Sequence, residues 1–400
     1  MPSPRPYAPQ LVFSVEDGPQ RSVPQVFIAP ARYIQGDGIL EHLGRHLSLV
    51  PSRHSAVLIS QGGQKRYGTR LFNSLRAAQV ESLVVTFQGE CSLEEVDRVV
   101  AILRATPSVD CVLAFGGGKC IDAGKCVAHR LGFPVVICPS LASNDAPCSA
   151  VSIMYTPAGV FTGAEFFPNS PALVAVDTRI VAEAPVRYLV AGMGDAMATW
   201  YEARTCLQNP RARSVLGARP TLAASALGEL CANTLFADGA AAVEAVSRSE
   251  VTDALNRIVE ANTLLSGIGF ESGGLAVAHS VAQALTALPA VHQNYLHGEM
   301  VAIGLLTQLV LETRLDEARQ VAIFFAKVGL PTHLGQISLS PQDTVQLSTV
   351  MEVAMQVPFV GNEPFAVTQN SLLAAAVQAH ELGLQVVRSA GDVAYHALHA

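Results

Sequence analysis

The most constraining feature of this sequence is an alternation of short apolar runs with helical stretches that ends near residue 180. Four apolar runs between residues 26 and 176 are typical of strands covered on both faces: AVLIS (56–60), SLVVTF (82–87), CVLAF (111–115) and PVVIC (134–138). The capping-box pattern Ser92-x-x-Glu95 begins a helix between the second run and the third. Strands spaced by helices in this way predict parallel β-α-β units.

The rest of the chain follows a different pattern. SAVSIMY, followed by Thr156-Pro157-Ala158-Gly159, predicts a hairpin within residues 149–161. Beyond Pro185, strand patterns disappear and Ala- and Leu-rich stretches predict helices almost to the end. We therefore expect a Pro-rich, poorly ordered arm over residues 1–24, an α/β domain of nucleotide-binding type with a parallel sheet over 25–180, and an all-α domain over 181–400.

Composition limits the partners that we expect. The net charge of −7 argues against nucleic acid, because phosphate binding needs clustered Lys and Arg. Residues 1–24 contain six prolines and lack the apolar segment of a signal peptide, and the apolar stretch 275–291 is interrupted by His279 and Gln283, which favours a buried helix over a membrane span. Eight cysteines without a C-x-x-C pair favour free thiols in a reducing compartment. We expect a cytoplasmic protein with no membrane partner.

A glycine-rich turn follows the third apolar run. Gly116-Gly117-Gly118-Lys119 leads directly into the helical stretch CIDAGKCVAHR. Glycines allow close approach of the backbone to a ligand, and a helix start offers free N–H groups to a pyrophosphate. The spacing matches neither G-x-G-x-x-G, since Ile121 takes the final glycine position, nor a P-loop. A tight turn without a ligand therefore stays open as an alternative.

Three short stretches each place one metal-ligand type of side chain in a small or apolar setting. They are Gly192-Met193-Gly194-Asp195, Gly273-Gly274-Leu-Ala-Val-Ala-His279 and His297-Gly298-Glu299. Taken singly, the Asp is more often a helix cap and each His a satisfied core residue. Together, two His and one carboxylate leave a coordination position for water or an alcohol oxygen, as catalytic zinc requires.

These motifs resemble the glycerol dehydrogenase branch of the iron-containing (group III) alcohol dehydrogenase superfamily. The resemblance is carried by FGGGKCIDAGK (115–125), PSLASNDAPCSAVSIMYT (139–156), GMGDAMATWYEAR (192–204), ANTLLSGIGFESGGLAVAH (261–279) and HGEMVAIG (297–304), and it spans about residues 25–385. It implies the dehydroquinate synthase-like architecture of that superfamily, reversible oxidation of a small neutral polyol, a nicotinamide cofactor, a divalent ion and a homo-oligomer.

The resemblance also implies roles for individual residues. Asp195, His279 and His297 match the metal positions. Asp145 matches a carboxylate that contacts the polyol, and Phe270 an apolar wall beside the substrate, where His279 also contributes. The positions that match the cofactor site are Gly117, Gly118 and Lys119 at the phosphates, and Ser140, Ser143, Ser149, Val151 and Tyr155 along the nicotinamide half. Without the resemblance, Asp145 is a turn residue and Tyr155 a packing residue of the hairpin.

Two positions separate this chain from its branch relatives. The iron-binding branch carries a further His four residues after the metal Asp, where this chain has Thr199. We therefore expect Zn²⁺, with another divalent ion as the alternative. After the first nucleotide-domain strand the family commonly has an acidic residue, whereas this chain has Gln61 followed by Lys65 and Arg66. NADP stays open beside NAD, because no carboxylate repels a 2′-phosphate and Lys65 or Arg66 could attract one. The alternative is a solvated basic loop in which the neutral Gln61 contacts the ribose of NAD.

The expected reaction is oxidation of glycerol or a related vicinal diol to the ketone. A dehydroquinate synthase-like lyase and a glycerol-1-phosphate dehydrogenase are the alternatives within the superfamily. Both act on phosphorylated substrates, which need several Lys and Arg around the pocket. Residues 261–304 contain neither Lys nor Arg, so the sequence favours a neutral substrate.

Overall fold

The computed structural model describes residues 7–13, 23–50 and 52–400. Six strands form one wholly parallel sheet: β1 (Tyr33–Gly36), β2 (His54–Ser60), β3 (Glu81–Phe87), β4 (Cys111–Gly116), β5 (Val135–Pro139) and β8 (Leu173–Asp177). Their order across the sheet is β1-β8-β5-β4-β2-β3. The four strands predicted from the sequence are all present, and β1 and β8 add to them on one side.

Helices cover both faces of this sheet. They are α2 (Ile39–His46), α3 (Gln61–Ala77), α4 (Leu93–Arg104) and α5 (Gly118–Leu131). Leu58 and Val112 pack on the α4–α5 side, whereas Val57 and Leu113 pack on the α2–α3 side. Alternate strand residues therefore belong to two apolar cores, one on each face of the sheet. This double coverage explains the continuous apolar runs of the sequence, and the expected α/β class is confirmed.

The predicted hairpin is present as a separate two-stranded sheet of β6 (Val151–Tyr155) and β7 (Phe161–Phe166). Its first strand is tied to the sheet domain, because the Tyr155 N–H donates to the Cys91 carbonyl at 2.9 Å. His292 Nε2 lies 2.9 Å from the Gly159 carbonyl oxygen, so the tip of the hairpin touches the helical part of the chain.

From residue 178 onward, the described chain contains helices and no named strand. They are α6 (Thr178–Ala182), α7 (Val186–Gln208), α8 (Leu222–Ser247), α9 (Asp253–Glu260), α10 (Ser266–Gly273), α11 (Val277–Leu285), α12 (Pro289–Asn294), α13 (His297–Leu311), α14 (Leu315–Val328), α15 (Thr344–Gln356), α16 (Gln369–Ala390) and α17 (Val393–His399), with a π-helical turn at Ala261–Leu265. The expected helical C-terminal part is confirmed. The stretch 275–291 is not one helix as predicted, since Pro289 begins a new one.

No helix in the described ranges is long and apolar enough to cross a membrane. The predicted N-terminal arm lies largely outside the described residues. In the part that is described, residues Pro9–Phe13 form a short helix, α1, and the Gln10 side chain donates to the Val215 carbonyl at 2.8 Å.

Candidate functional site

Asp195, His279 and His297 converge in the helical part of the molecule, where α7, α11 and α13 meet. Asp195 Oδ1 lies 3.3 Å from Nε2 of His279 and 3.3 Å from Nε2 of His297. One ligand atom from each of the three residues lies within 4.8 Å of the others. Asp195 is 1% exposed whereas the His297 side chain is 46% exposed, so the cluster has a buried floor and one open side.

Glycines explain how two of these helices, α7 and α13, come so close. A Cβ at Gly298 would overlap the Ala191 carbonyl, and a Cβ at Gly194 would overlap the Gly298 carbonyl. The backbones of α7 and α13 are therefore in contact. The contact on α7 is next to Asp195, and the contact on α13 is next to His297. The GMGD and HGE motifs are packing motifs as well as ligand carriers.

Glu202 is a functional residue that the sequence reasoning missed. It is fully buried, and its Oε2 lies 2.5 Å from Nδ1 of His279. Its Oε1 accepts from the backbone N–H groups of Ala276 at 2.7 Å and of His279 at 3.0 Å. Because the Glu202 carboxylate accepts a hydrogen bond from Nδ1, the ring proton of neutral His279 lies on Nδ1. The unprotonated Nε2 then faces Asp195. The available signal was its spacing from Asp195: seven residues, which is two helical turns on the same face.

The electrostatics of the cluster favour a positive charge. Burial alone would raise the pKa of Asp195, but the charges and hydrogen bonds of His297 and His279 outweigh it and lower the pKa well below its ordinary value. Burial would likewise lower the pKa of His279, yet Glu202 and Asp195 raise it well above the ordinary range. Two buried carboxylates around one imidazole thus form an anionic site that a cation or a proton neutralises.

Asp145 lies beside the cluster, on the loop that follows β5. Its backbone N–H donates to Asp195 Oδ2 at 3.3 Å, and its Oδ2 accepts from the Ser266 hydroxyl at 3.2 Å. Burial first, and then the charge of Asp195, raise the pKa of the Asp145 carboxyl well above its usual value. Thr199 is fully buried and its hydroxyl lies 2.8 Å from that of Ser266, so it belongs to the same hydrogen-bonded chain as Asp145.

The glycine turn lies at the carboxyl end of β4, next to the point where the strand order reverses between β2 and β4. Ligands of doubly wound sheets bind at such a crevice. Gly117 precedes α5, and no side chain in the described ranges caps that helix start. A Cβ at Gly118 would approach Asn144 Nδ2 to 2.7 Å, so the turn lies against the loop that carries Asp145. The turn and the ion cluster are therefore joined by one loop.

Lys119 has a partner that the sequence did not indicate. Its Nζ lies 2.6 Å from Glu90 Oε1 and 5.3 Å from the centroid of the Tyr155 ring. Lys119 and Tyr155 thus form one wall beside the glycine turn, and the Lys119 charge is shared with Glu90. Burial first, then the charges of Asp122, Glu90 and Cys91, raise the pKa of the Tyr155 hydroxyl far above its ordinary value.

The remaining residues expected at the nicotinamide lie along the same loop, at different depths. Ser140 donates its N–H to the Gly116 carbonyl at 2.9 Å, and Ser143 is half-buried two residues before Asp145. Ser149 and Val151 face inward: the buried ammonium of Lys125 donates to Ser149 Oγ at 3.2 Å and to the Val151 carbonyl at 2.9 Å.

Phe270 and Glu271 support this loop from α10. Phe270 is 8% exposed and packs in one apolar cluster with Val151. Both carboxyl oxygens of Glu271 accept from the Ala150 N–H, at 2.9 and 3.1 Å. Burial raises the pKa of Glu271 to about 8.

The segment expected as a loop at Gln61 is helical, which corrects the sequence interpretation. Ser60 ends β2, and its hydroxyl accepts from the Gly63 N–H at 3.1 Å, so α3 begins at Gln61. Gln61 is exposed at the carboxyl edge of the sheet, whereas Lys65 and Arg66 lie one turn further along the helix. A serine directly after an apolar run was the cap signal that the sequence carried.

The chain is similar to known proteins over most of its length. The family model for iron-containing alcohol dehydrogenases matches residues 30–178. The chain is 42% identical to a glycerol dehydrogenase of Escherichia coli O6:H1 over 90% of this chain and 97% of that protein. It is 44% identical to a glycerol dehydrogenase of Thermotoga maritima over 89% and 97%, respectively. The crystal structure of a probable glycerol dehydrogenase from Sinorhizobium meliloti superposes with a TM-score of 0.83 at 35% identity, covering 90% of this chain and 99% of that one.

The doubly wound sheet with its glycine turn, joined by one loop to an Asp–His–His cluster, defines a nicotinamide-dependent oxidoreductase of small alcohols. The chain belongs to the iron-containing alcohol dehydrogenase family, in its glycerol dehydrogenase branch. Membership implies a divalent metal and a nicotinamide dinucleotide. The lyase and the phosphorylated-substrate alternatives of the superfamily are not favoured.

Proposed function

We propose that this protein interconverts glycerol, or a closely related vicinal diol, and the corresponding ketone, with Zn²⁺ held by Asp195, His279 and His297. The observation that carries the proposal is the convergence of these three donors within 4.8 Å beside the half-buried Asp145. The names of the similar proteins support the choice of glycerol.

The donor set fits a divalent ion. Two imidazoles and one carboxylate suit zinc and leave room for a substrate oxygen. Glu202 supports the fit, since it holds the His279 ring with Nε2 toward Asp195. A bound ion would supply polarisation of an alcohol oxygen, and a bound nicotinamide would supply the hydride acceptor.

The residues around the cluster select and orient the polyol. Asp145 offers a carboxyl group that can bind a second hydroxyl, which favours diols over simple alcohols. Ser266 fixes that carboxyl by donating at 3.2 Å, and Phe270 supplies an apolar surface in the same wall. Since 261–304 has no Lys or Arg, this part of the pocket offers no cationic side chain to a phosphate.

The dinucleotide is held at the edge of the sheet. The uncapped start of α5 at Gly117 and Gly118 suits a pyrophosphate, with Lys119 as an added charge. Ser140, Ser143, Ser149, Val151 and Tyr155 would lie along the nicotinamide half. Gln61, without a carboxylate, permits both NAD and NADP, and we expect NAD by similarity to the branch.

The test is a steady-state comparison of NAD and NADP with a panel of polyols, together with metal analysis of the same preparation. We expect turnover of glycerol or 1,2-propanediol and about one zinc per chain. Asp195→Asn is the matched variant, and we expect it to lose both the metal and the activity. No turnover of any diol by metal-replete protein would refute the proposal.

We also propose a cytoplasmic location and assembly into a homo-oligomer. All eight cysteines are free and buried, which suits a reducing compartment. Leu222 and Leu230 on α8 are 73% and 52% exposed and would gain from a subunit interface. Analytical ultracentrifugation measures the assembly directly.

A further inference from the structure

Helix α17 lies against the start of the helix that carries His297, although the family resemblance ends near residue 385. His399, on the last turn of α17, places Nε2 2.9 Å from Oε1 of Glu299. Its other ring nitrogen lies 2.8 Å from the Tyr395 carbonyl oxygen. The His399 side chain is 10% exposed and that of Glu299 is 1% exposed, so the contact is a buried one.

Helix α17 is held against the helical core by contacts of its own side chains. The Tyr395 ring stacks on the His399 ring with centroids 4.0 Å apart and planes at 17°. The Tyr395 hydroxyl donates to the Gln336 carbonyl, and Leu398 packs against the main core next to Gly329. His399 is therefore held by its own helix in the orientation that meets Glu299.

Glu299 connects three elements. Arg187 on α7 donates from Nε to Oε1 at 2.7 Å and from Nη2 to Oε2 at 2.8 Å. The Leu296 N–H, at the start of α13, donates to Oε2 at 2.8 Å. With His399 the carboxylate ties α7, α13 and α17 together, two residues from His297.

His297 needs such support because of its position. It is the first residue of α13, where backbone N–H groups have no partner within the helix and the end of a helix frays. Asp195 is the ion-pair partner of its ring in the described structure, and nearly half of the side chain is exposed. The placement of Nε2 therefore depends on the first turn of α13 being rigid.

We propose that His399 is a positioning residue. Its contact with Glu299 attaches α17 to the first turn of α13, and this holds the His297 ligand in place. The inference rests on the proposed metal site. By this inference α17, which lies outside the family motifs, contributes to the metal affinity of the site. Outer partners of metal ligands typically change affinity by about 10–100-fold when removed.

The experiment compares His399→Ala with His399→Gln, whose side-chain amide can still donate to Glu299. His396→Ala is the matched control, because His396 is on the same helix, is 70% exposed and pairs with Asp392 at 3.1 Å. Each variant is titrated with Co²⁺ against a chelator, with the absorption spectrum of the bound ion recorded. Hydrogen exchange of the peptide around residues 296–300 is measured on metal-free protein.

We expect His399→Ala to bind Co²⁺ about tenfold more weakly, with an altered spectrum and faster exchange over 296–300. His399→Gln should restore the wild-type values, and His396→Ala should match wild type. Wild-type Co²⁺ affinity in His399→Ala, or unchanged exchange, would overturn the inference. If the wild-type protein bound no Co²⁺, the metal proposal itself would fail, and the exchange arm would still decide whether His399 holds α13.

Discussion

Glu202 and His279 form the tightest polar contact of the site, with Oε2 2.5 Å from Nδ1, while Glu202 Oε1 accepts from two backbone N–H groups at the start of α11. One carboxylate thus orients the ring of His279 and caps the helix that carries it. Because Glu202 and Asp195 share one face of α7, a single rigid helix fixes both a ligand and the partner of another ligand.

We predict that Glu202→Gln weakens Zn²⁺ binding by about 10–100-fold, with a parallel loss of activity at limiting metal. The new amide NH₂ would donate to Nδ1, so the ring proton moves to Nε2 and removes the lone pair that binds the ion. Competition with a chelator measures the affinity. Glu312→Gln is the control, a buried glutamate that bonds Thr205 and Gln308 and touches no ligand; equal losses in both variants would contradict the prediction.

The sequence predicted the parts of this protein whose physics is local. Apolar runs such as CVLAF predicted buried strands because both faces of the sheet are covered, and GGGK predicted the turn at α5. The closeness of Asp195, His279 and His297 could not be deduced from spacing, since it depends on backbone contact at Gly194 and Gly298; the resemblance supplied it. Whether these residues bind the ion stays a prediction.

Other features could not be predicted from the sequence because the residues in contact are far apart in the chain. Glu202 looked like one more polar residue on a helix until α11 was placed against it. The pairing of Lys119 with Glu90 and the contact of His399 with Glu299 join segments about 30 and 100 residues apart. Short strands such as β1, with four half-buried residues, carry too little apolar pattern to predict.

We predict that Gly298→Ala destabilises the protein by about 1–3 kcal/mol and lowers metal affinity. The new methyl group would overlap the Ala191 carbonyl, so α13 must move away from α7 and carry His297 with it. Thermal unfolding and chelator competition measure the two effects. Gly361→Ala is the control, because a Cβ there meets no atom within 4 Å. Normal metal binding in Gly298→Ala would show that the close approach does not set the ligand geometry.

We predict that Gln61→Asp raises the ratio of kcat/KM for NAD over NADP by about tenfold, equivalent to about 1.4 kcal/mol. A carboxylate at the first position of α3, directly after β2, would repel a 2′-phosphate and accept hydrogen bonds from a ribose. The control Asn73→Asp adds the same charge to the same helix, twelve residues or roughly 18 Å further along. If both variants changed the ratio equally, or neither did, this helix start would not select the nucleotide.

We predict that Glu363→Gln stabilises the protein increasingly as the pH rises from about 5 to about 8. Burial first, and then the charges of Glu312 and Glu202, raise the pKa of the Glu363 carboxyl to about 9, and neither of its oxygens makes a hydrogen bond of normal geometry within the described residues. The pKa of a glutamate in an unfolded chain is about 4.3. Between these two values the unfolded chain loses a proton that the folded chain keeps, so wild-type stability falls as the pH rises.

Glutamine has no proton to lose, so the stability gained by Glu363→Gln should be smallest at pH 5 and larger by roughly 4 kcal/mol at pH 8. Unfolding midpoints measured at several pH values in this window test the prediction. Glu352→Gln, at an exposed site on α15, is the control and should follow the wild-type curve. A gain that is the same at every pH would mean that the Glu363 carboxyl is already ionised in the folded protein, stabilised by a group that its surroundings in this structure do not show.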